Sequence, residues 1–233
     1  MIGVFYVSER GMKMSVFDIL GPVMVGPSSS HTAGAVNIGR VARQVFGEKP
    51  DKAEITLYGS FADTYKGHGT DRALVAGIMG FKTDDPRIKD ALAIADEEGL
   101  LIHFSTSKEG TYHPNTVRIK LSNKFQSSEI VGVSIGGGRV RIREVDKFKV
   151  DISGIYNTLL CSYPDQMGVI AKVSEILASE KINIATMSVS RDKTYQIALM
   201  VVEVDGELPD QAVNQIKAMP YFDTVKAIRK IEL

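Results

Sequence analysis

Apolar residues recur along this chain in two rhythms. Ala35, Ile38, Ala42 and Val45 return at helical spacing with Phe46 beside them, while Asn37, Arg40 and Gln44 hold the opposite face, so an amphipathic helix is predicted to run to about Gly47. From Lys52 to about Ser60 the period shortens to two, with Ala53, Ile55 and Leu57 on one face of a strand. The turn-like stretch GSFADTYKGHGTD follows at 59 to 71. Thr70 and Asp71 then precede Ala73, Leu74, Ala76 and Gly77, a second helix with an acceptor side chain near its cap. The segment DDPRIKDALAIADEEG predicts a third, with Pro86 in its first turn and Ile88, Leu92 and Ala95 as its buried stripe. Four short strands are expected next, at Leu100 to Phe104, Thr116 to Leu121, Glu129 to Ile135 and Arg139 to Val145. The glycines at 136 to 138 join the last two as a hairpin. Arg139, Arg141 and Arg143 alternate with apolar positions as on the wet side of an edge strand.

The pattern changes at DKFKVDISG, 146 to 154. Beyond it the expected order is strand 152 to 161, helix 168 to 180, strand 182 to 190, strand 194 to 204, helix 209 to 219 and strand 222 to 232, a βαββαβ unit of about eighty residues. Val169, Val173, Ile176 and Leu177 line one face of its first helix, and Ala212, Val213, Ile216 and Met219 line one face of its second. Its third strand, YQIALMVVEV, is apolar on both parities after Gln196, so both its faces need cover. Helices cover one, and a second copy of the chain is expected on the other. The fold class read from these patterns is α+β, an N-terminal α/β domain over residues 1–148 followed by a ferredoxin-like domain over 152–233.

Composition narrows the partners. The 233 residues suffice for two modest cores, and 28 Lys and Arg balance 28 Asp and Glu, which removes the electrostatic argument for nucleic acid or an acidic membrane surface. The apolar run Ile2 to Val7 is broken by Ser8, Glu9 and Arg10, too early for a signal peptide, and a cytoplasmic location is expected. Met12 and Met14 offer alternative starts. The single cysteine, Cys161, sits in a strand-like stretch as a small hydrophobe and excludes a disulfide framework or a multi-thiolate metal site on this chain.

Two polar clusters carry the chemistry. GPSSSHTAG at 26 to 34 places Ser28, Ser29, Ser30 and Thr32 around His31 where a helix begins, and unpaired N–H groups with hydroxyls make a site for a carboxylate or phosphate. His31 adds a group that exchanges protons near neutral pH. His68, between Gly67 and Gly69 before the second helix, repeats the arrangement with Thr70 and Asp71. The competing structural readings are a serine-rich cap for the first cluster and an ordinary loop histidine for the second. His113 in YHPN reads as a turn residue, and His103 alternates into a strand.

The segment SYPDQMGVIAKVSEILASEKINIATM at 162 to 187 resembles the ACT domain, a regulatory module that binds amino acids. The resemblance implies an effector held by Asp165, Gln166, Gly168 and Val169, with Asn183 and Ile184 of a neighbouring copy opposite, and self-association through this domain. GPSSSHTAGAVNIGRVAR at 26 to 43, GSFADTYKGHGTD at 59 to 71 and YHPNTVRIKL at 112 to 121 are similar to the beta subunit of the bacterial iron–sulfur L-serine dehydratases. That family's first domain resembles the allosteric substrate-binding domain of some phosphoglycerate dehydrogenases. The resemblance implies conversion of L-serine to pyruvate and ammonia by a heteromer whose alpha subunit carries a four-iron, four-sulfur (4Fe-4S) cluster. It implies His31 and His68 as catalytic and Ser28, Ser29, Ser30, Thr32, Gly69, Thr70 and Asp71 as substrate-binding, with no metal held by this chain. Two other readings stay open: a stand-alone amino-acid-sensing protein, and a metal hydrolase using His31, His68 and Asp71, which lacks helical H-x-x-x-H spacing.

Overall fold

A computed structural model describes residues 23–108 and 113–232. The run Ile2 to Val7, Met12, Met14 and Tyr112 lie outside the described residues. A π-helical turn, Ser29–Ala33, leads directly into α1 (Gly34–Phe46). There follow β1 (Lys52–Tyr58), α2 (Gly59–Thr64), α3 (Thr70–Ile78), a 3₁₀ turn Pro86–Asp90, α4 (Ala91–Glu97), β2 (Leu101–Ser107), β3 (Thr116–Ser122), β4 (Ser127–Gly136), β5 (Arg139–Val145) and β6 (Phe148–Ile152). These six strands form one sheet in the order β2-β1-β3-β4-β5-β6, in which only β1 and β2 run parallel. Ala53, Ile55 and Leu57 of β1 are fully buried, as the alternation predicted.

The second sheet orders β7 (Asn157–Pro164), β8 (Ile184–Asp192), β9 (Ile197–Val204) and β10 (Thr224–Ile228) as β10-β7-β9-β8, with α5 (Val169–Ser179) and α6 (Asp210–Lys217) on one face. This is the expected βαββαβ unit, and the mixed α+β class holds for the whole chain.

Four local expectations change. The stretch after β1 holds the six-residue helix α2 rather than a continuous turn. The DKFKVDISG tract contributes β6 to the first sheet, so β5 is an interior strand; its Arg141 and Arg143 pair with Asp151 of β6 instead of edging the sheet. Asn37, expected on the wet side of α1, is fully buried and donates from Nδ2 to the Gly138 carbonyl at 2.9 Å, because α1 is wedged between β4, β5 and α3. The cover for the far face of β9 comes from the chain's own first half rather than a second copy. Ala198, Met200 and Val202 join the core under α5 and α6, while Leu199 and Val201 join the core of the first sheet with Val150 and Ile152. Polar ties close this junction: Glu203, 2% exposed, accepts from the Ser153 N–H at 2.8 Å, the Ser153 hydroxyl at 2.6 Å and Thr186 at 3.0 Å.

Helix α1 positions the site. It crosses α3 at a glycine pair so close that a Cβ on Gly39 would stand 2.4 Å from the Leu74 carbonyl oxygen, and one on Gly77 2.1 Å from that of Val36. Backbones can meet this way only where neither partner carries a side chain. His31 and Gly69 each precede the crossing by about two helical turns, so the two helices start side by side. At its other end α1 is held by the second domain: the Lys226 ammonium of β10 donates to the carbonyls of Val45 at 2.5 Å and Phe46 at 3.1 Å, and Gln44 exchanges hydrogen bonds with the Arg229 backbone at 2.6 and 3.2 Å.

Candidate active site

The first polar cluster is built around the His31 ring. Ser28 is the cap of the π turn, its Oγ accepting from the His31 N–H at 3.2 Å. The Gly34 N–H bonds back to the Ser29 carbonyl, so the chain is already helical through the serine run. The hydroxyls therefore radiate around a first turn instead of lying in a loop ahead of it. Ser30 Oγ lies 3.0 Å from His31 Nδ1, and Ser28 Oγ lies 3.4 Å from the same atom. On the other side of the ring, Nε2 is 3.0 Å from the Ser60 hydroxyl.

Ser60 is the second residue of α2, directly after the carboxyl end of β1. Its position follows from a tight turn: Gly59 has φ +54°, and a Cβ there would stand 2.7 Å from the Pro114 carbonyl oxygen. Pro114 O accepts the Phe61 N–H at 3.3 Å. The HPN turn thus braces Ser60, while His113 Nδ1 accepts the Asn115 N–H at 3.2 Å, the turn role expected of it. Ser60 was not among the residues the sequence reading selected. Its signal was the GS pair directly after an alternating strand.

His68 meets His31 edge to face, with ring centroids 4.8 Å apart, and Phe61 closes another side at 5.3 Å. Thr32, 3% exposed, reaches from Oγ1 toward the His68 carbonyl at 3.4 Å and acts as a strut between the two helix starts. Burial lowers the His31 imidazole below the usual histidine range, and the neighbouring His68 lowers it further. A neutral imidazole carries one donor and one acceptor nitrogen. Ser30 and Ser60 accordingly take opposite roles, one donating to the ring and the other accepting from it. The chain Ser30–His31–Ser60 can pass a proton in either direction, according to the tautomer.

Other selected residues are placed differently. Thr70 is fully buried one position inside α3, whose cap is Gly69 at φ +67°, so its hydroxyl faces the interior. Asp71 accepts the Arg72 N–H at 2.8 Å. In the second domain, Asp165, Gln166 and Gly168 line a cavity of about 390 Å³ with Tyr163, Met167, Ile170, Val189 and Arg191. Arg191 Nε donates to Asp165 Oδ2 at 2.6 Å across it. The Val169 side chain is buried in the core beneath α5 and is not part of that wall. Asn183, which donates to Asp205 at 2.6 Å, and Ile184 stand at the opposite end of β8, so one chain does not bring the two halves of the expected effector site together.

Among the described residues no group of three or more His, Cys, Asp or Glu side chains could hold a metal ion. Cys161, the chain's one thiol, is fully buried on the helix-covered side of the second sheet, and burial pushes its pKa well up. No helix among the described residues is long and apolar enough to cross a membrane.

Comparison with known proteins places both halves of the chain in known families. Residues 15–98 match the serine dehydratase beta chain family, and residues 157–220 match the ACT domain. The chain is 46% identical to the probable L-serine dehydratase beta chain of Bacillus subtilis (strain 168), over 92% of its own length and 97% of that protein's. The chain belongs to the serine dehydratase beta chain family. The L-serine dehydratase beta chain of Peptoniphilus asaccharolyticus is 42% identical, again over 92% of this chain and 97% of that one. A D-3-phosphoglycerate dehydrogenase of Bacillus subtilis is 26% identical over 83% of this chain but only 37% of its own. The beta-chain match takes in the Ser28–Thr32 and Ser60–Asp71 segments that meet around His31.

Proposed function

We propose that this protein is the beta subunit of a heteromeric L-serine dehydratase, which removes water from L-serine and releases pyruvate and ammonia. The observation that carries this reading is the His31 ring, its positive form disfavoured by burial and both its nitrogens within hydrogen-bond reach of serine hydroxyls where two helices begin. The reaction breaks the Cα–H and Cβ–O bonds of serine. The aminoacrylate formed tautomerises to an imine, and hydrolysis gives the keto acid and ammonia. A base must take the α-proton, and donors must hold the carboxylate. His31, reached through Ser60, is the proton acceptor this chain offers, and Ser28, Ser29 and Ser30 at the helix start are its donors to the carboxylate. His68 packs edge to face against the His31 ring and disfavours its positive form.

The residues present do not fit a 4Fe-4S cluster, which takes several thiolates. The one cysteine is buried away from the histidines, in the other sheet. The cluster of such an enzyme therefore belongs to an alpha subunit, and the face that carries Ser28 to His31 is the surface this chain turns toward it. The ACT domain is the regulatory part, with Asp165, Gln166 and Gly168 as its effector loop and Asn183 and Ile184 completing the site from another copy.

Co-expression with a cysteine-bearing alpha chain tests this directly. The isolated chain is expected to form no pyruvate from L-serine, and the complex to form it continuously. A complex that binds serine without releasing pyruvate would favour the amino-acid sensor instead.

A further inference from the structure

Beside the Thr32–His68 contact lies a cavity of about 250 Å³ whose wall includes neither His31 nor Ser60. Its wall brings together Lys66 from the loop before α3, Arg72 from the first turn of α3, and Lys89 from the 3₁₀ turn before α4. No carboxylate lines it among the described residues. Of the acids near these cations in sequence, Asp71 accepts the Arg72 N–H, both oxygens of Asp85 are taken by Arg87, and Asp63 and Asp90 lie outside the cavity wall. None of the three cations is in an ion pair with a described residue; the sole ring contact is Lys66, 5.8 Å above the Tyr65 ring. Three like charges around one small concavity repel one another and raise the local potential for anions. The wall also includes Gly67, His68 and Gly69, and the space beside Gly69 is open, with nothing within 4 Å of where a Cβ would stand. A ligand can therefore approach the main chain closely.

Charge decides what fits. L-Serine at neutral pH carries an ammonium with its carboxylate, and an ammonium among three cations is disfavoured. A compact anion with two negative charges gains charge-assisted hydrogen bonds from each cation without that penalty. We propose that this cavity binds a small doubly charged oxyanion, a phosphate or a short dicarboxylate, as a ligand separate from the substrate. Its wall includes Thr32 and His68, so the anion sits against the strut that fixes the two helix starts and acts on His31 through that strut. That serine goes elsewhere rests on the function proposed above; the anion site itself does not.

Calorimetric titration of the full-length beta chain with inorganic phosphate and, separately, malonate at pH 8 tests this without any turnover. One equivalent of at least one of the two is expected to bind saturably, and L-serine at equal concentration is expected not to displace it. Arg72→Glu with Lys89→Glu is expected to weaken binding at least tenfold, and the milder Lys66→Gln to weaken it less. Lys172→Glu, a charge change on α5 where Lys172 pairs with Glu175, leaves it unchanged. Absence of binding by both anions, displacement by serine, or equal loss in Lys172→Glu would overturn the proposal. Pyruvate formation by the alpha–beta complex is scored independently, so a failed anion site and a failed dehydratase reading give different results.

Discussion

The Ser60 hydroxyl lies 3.0 Å from His31 Nε2, joining the end of β1 to the start of α1. This contact places a small hydroxyl on the Nε2 side of the imidazole. Ser60→Ala removes that end of the relay while Ser30 still holds Nδ1. In the complex with an alpha chain, kcat for pyruvate formation is expected to fall about 10- to 100-fold with KM for serine little changed. A purely structural role for Ser60 would lower thermal stability and leave kcat of the folded complex intact.

The displaced titration of His31 has a definite sign. Its folded-state pKa lies below the ordinary 6.5, so between those two values the unfolded chain binds a proton that the folded chain refuses. Stability is therefore expected to rise with pH up to about 6.5 and to drop below it. His31→Gln should flatten that part of the curve. Denaturant unfolding at a series of pH values checks the slope, and the ring Hε1 shift in a proton NMR titration should report a midpoint under 6.5.

The two domains are tied through α1 and β9, and each tie has its own cost. Lys226→Met leaves the carbonyls of Val45 and Phe46 without their ammonium donor and is expected to cost about 1–3 kcal/mol. Glu203→Ala strands the buried Ser153 N–H and should cost a similar ~1–3 kcal/mol, while Glu203→Gln, which keeps an acceptor oxygen, costs less. Urea unfolding of the full chain measures both. Because Lys226 grips the helix that carries His31, its loss is also expected to lower turnover more than Glu203→Gln does.

Cys161 should be chemically silent in the folded protein. Its thiol is fully buried, and burial disfavours the thiolate that reacts. Ellman's reagent at pH 8 is expected to find no accessible thiol in the native chain and one per chain in denaturant.

Much of this architecture was legible in the residues. Ala53, Ile55 and Leu57 announce β1 because one face of that strand is dry, and Val169, Val173 and Leu177 announce α5 for the same reason. Asn37 misled because a helix enclosed on nearly every side loses the polar face on which periodicity relies; one buried amide satisfied by the Gly138 carbonyl looks identical in sequence to an exposed one. The tract that forms β6 shows in sequence only as a change of pattern, because its Lys149 and Asp151 are exposed and the strand is five residues long. At the site, His31 and His68 stood out through their glycine and serine neighbours. Their meeting depends on the Gly39–Gly77 crossing, and Ser60 joins them through the Gly59–Pro114 contact, both long-range packings that no local pattern encodes. The far face of β9 was correctly read as needing cover, but which surface supplies it is a tertiary question, answered by Val150 and Ile152 of the same chain.

The most direct measurement is pyruvate release from L-serine by the alpha–beta complex carrying His31→Ala, set beside the parent at equal cluster content. A loss of about 10²- to 10⁴-fold in kcat with the complex still assembled is the expected result. Parental turnover in that variant would contradict the assignment of His31 as the group that moves the proton.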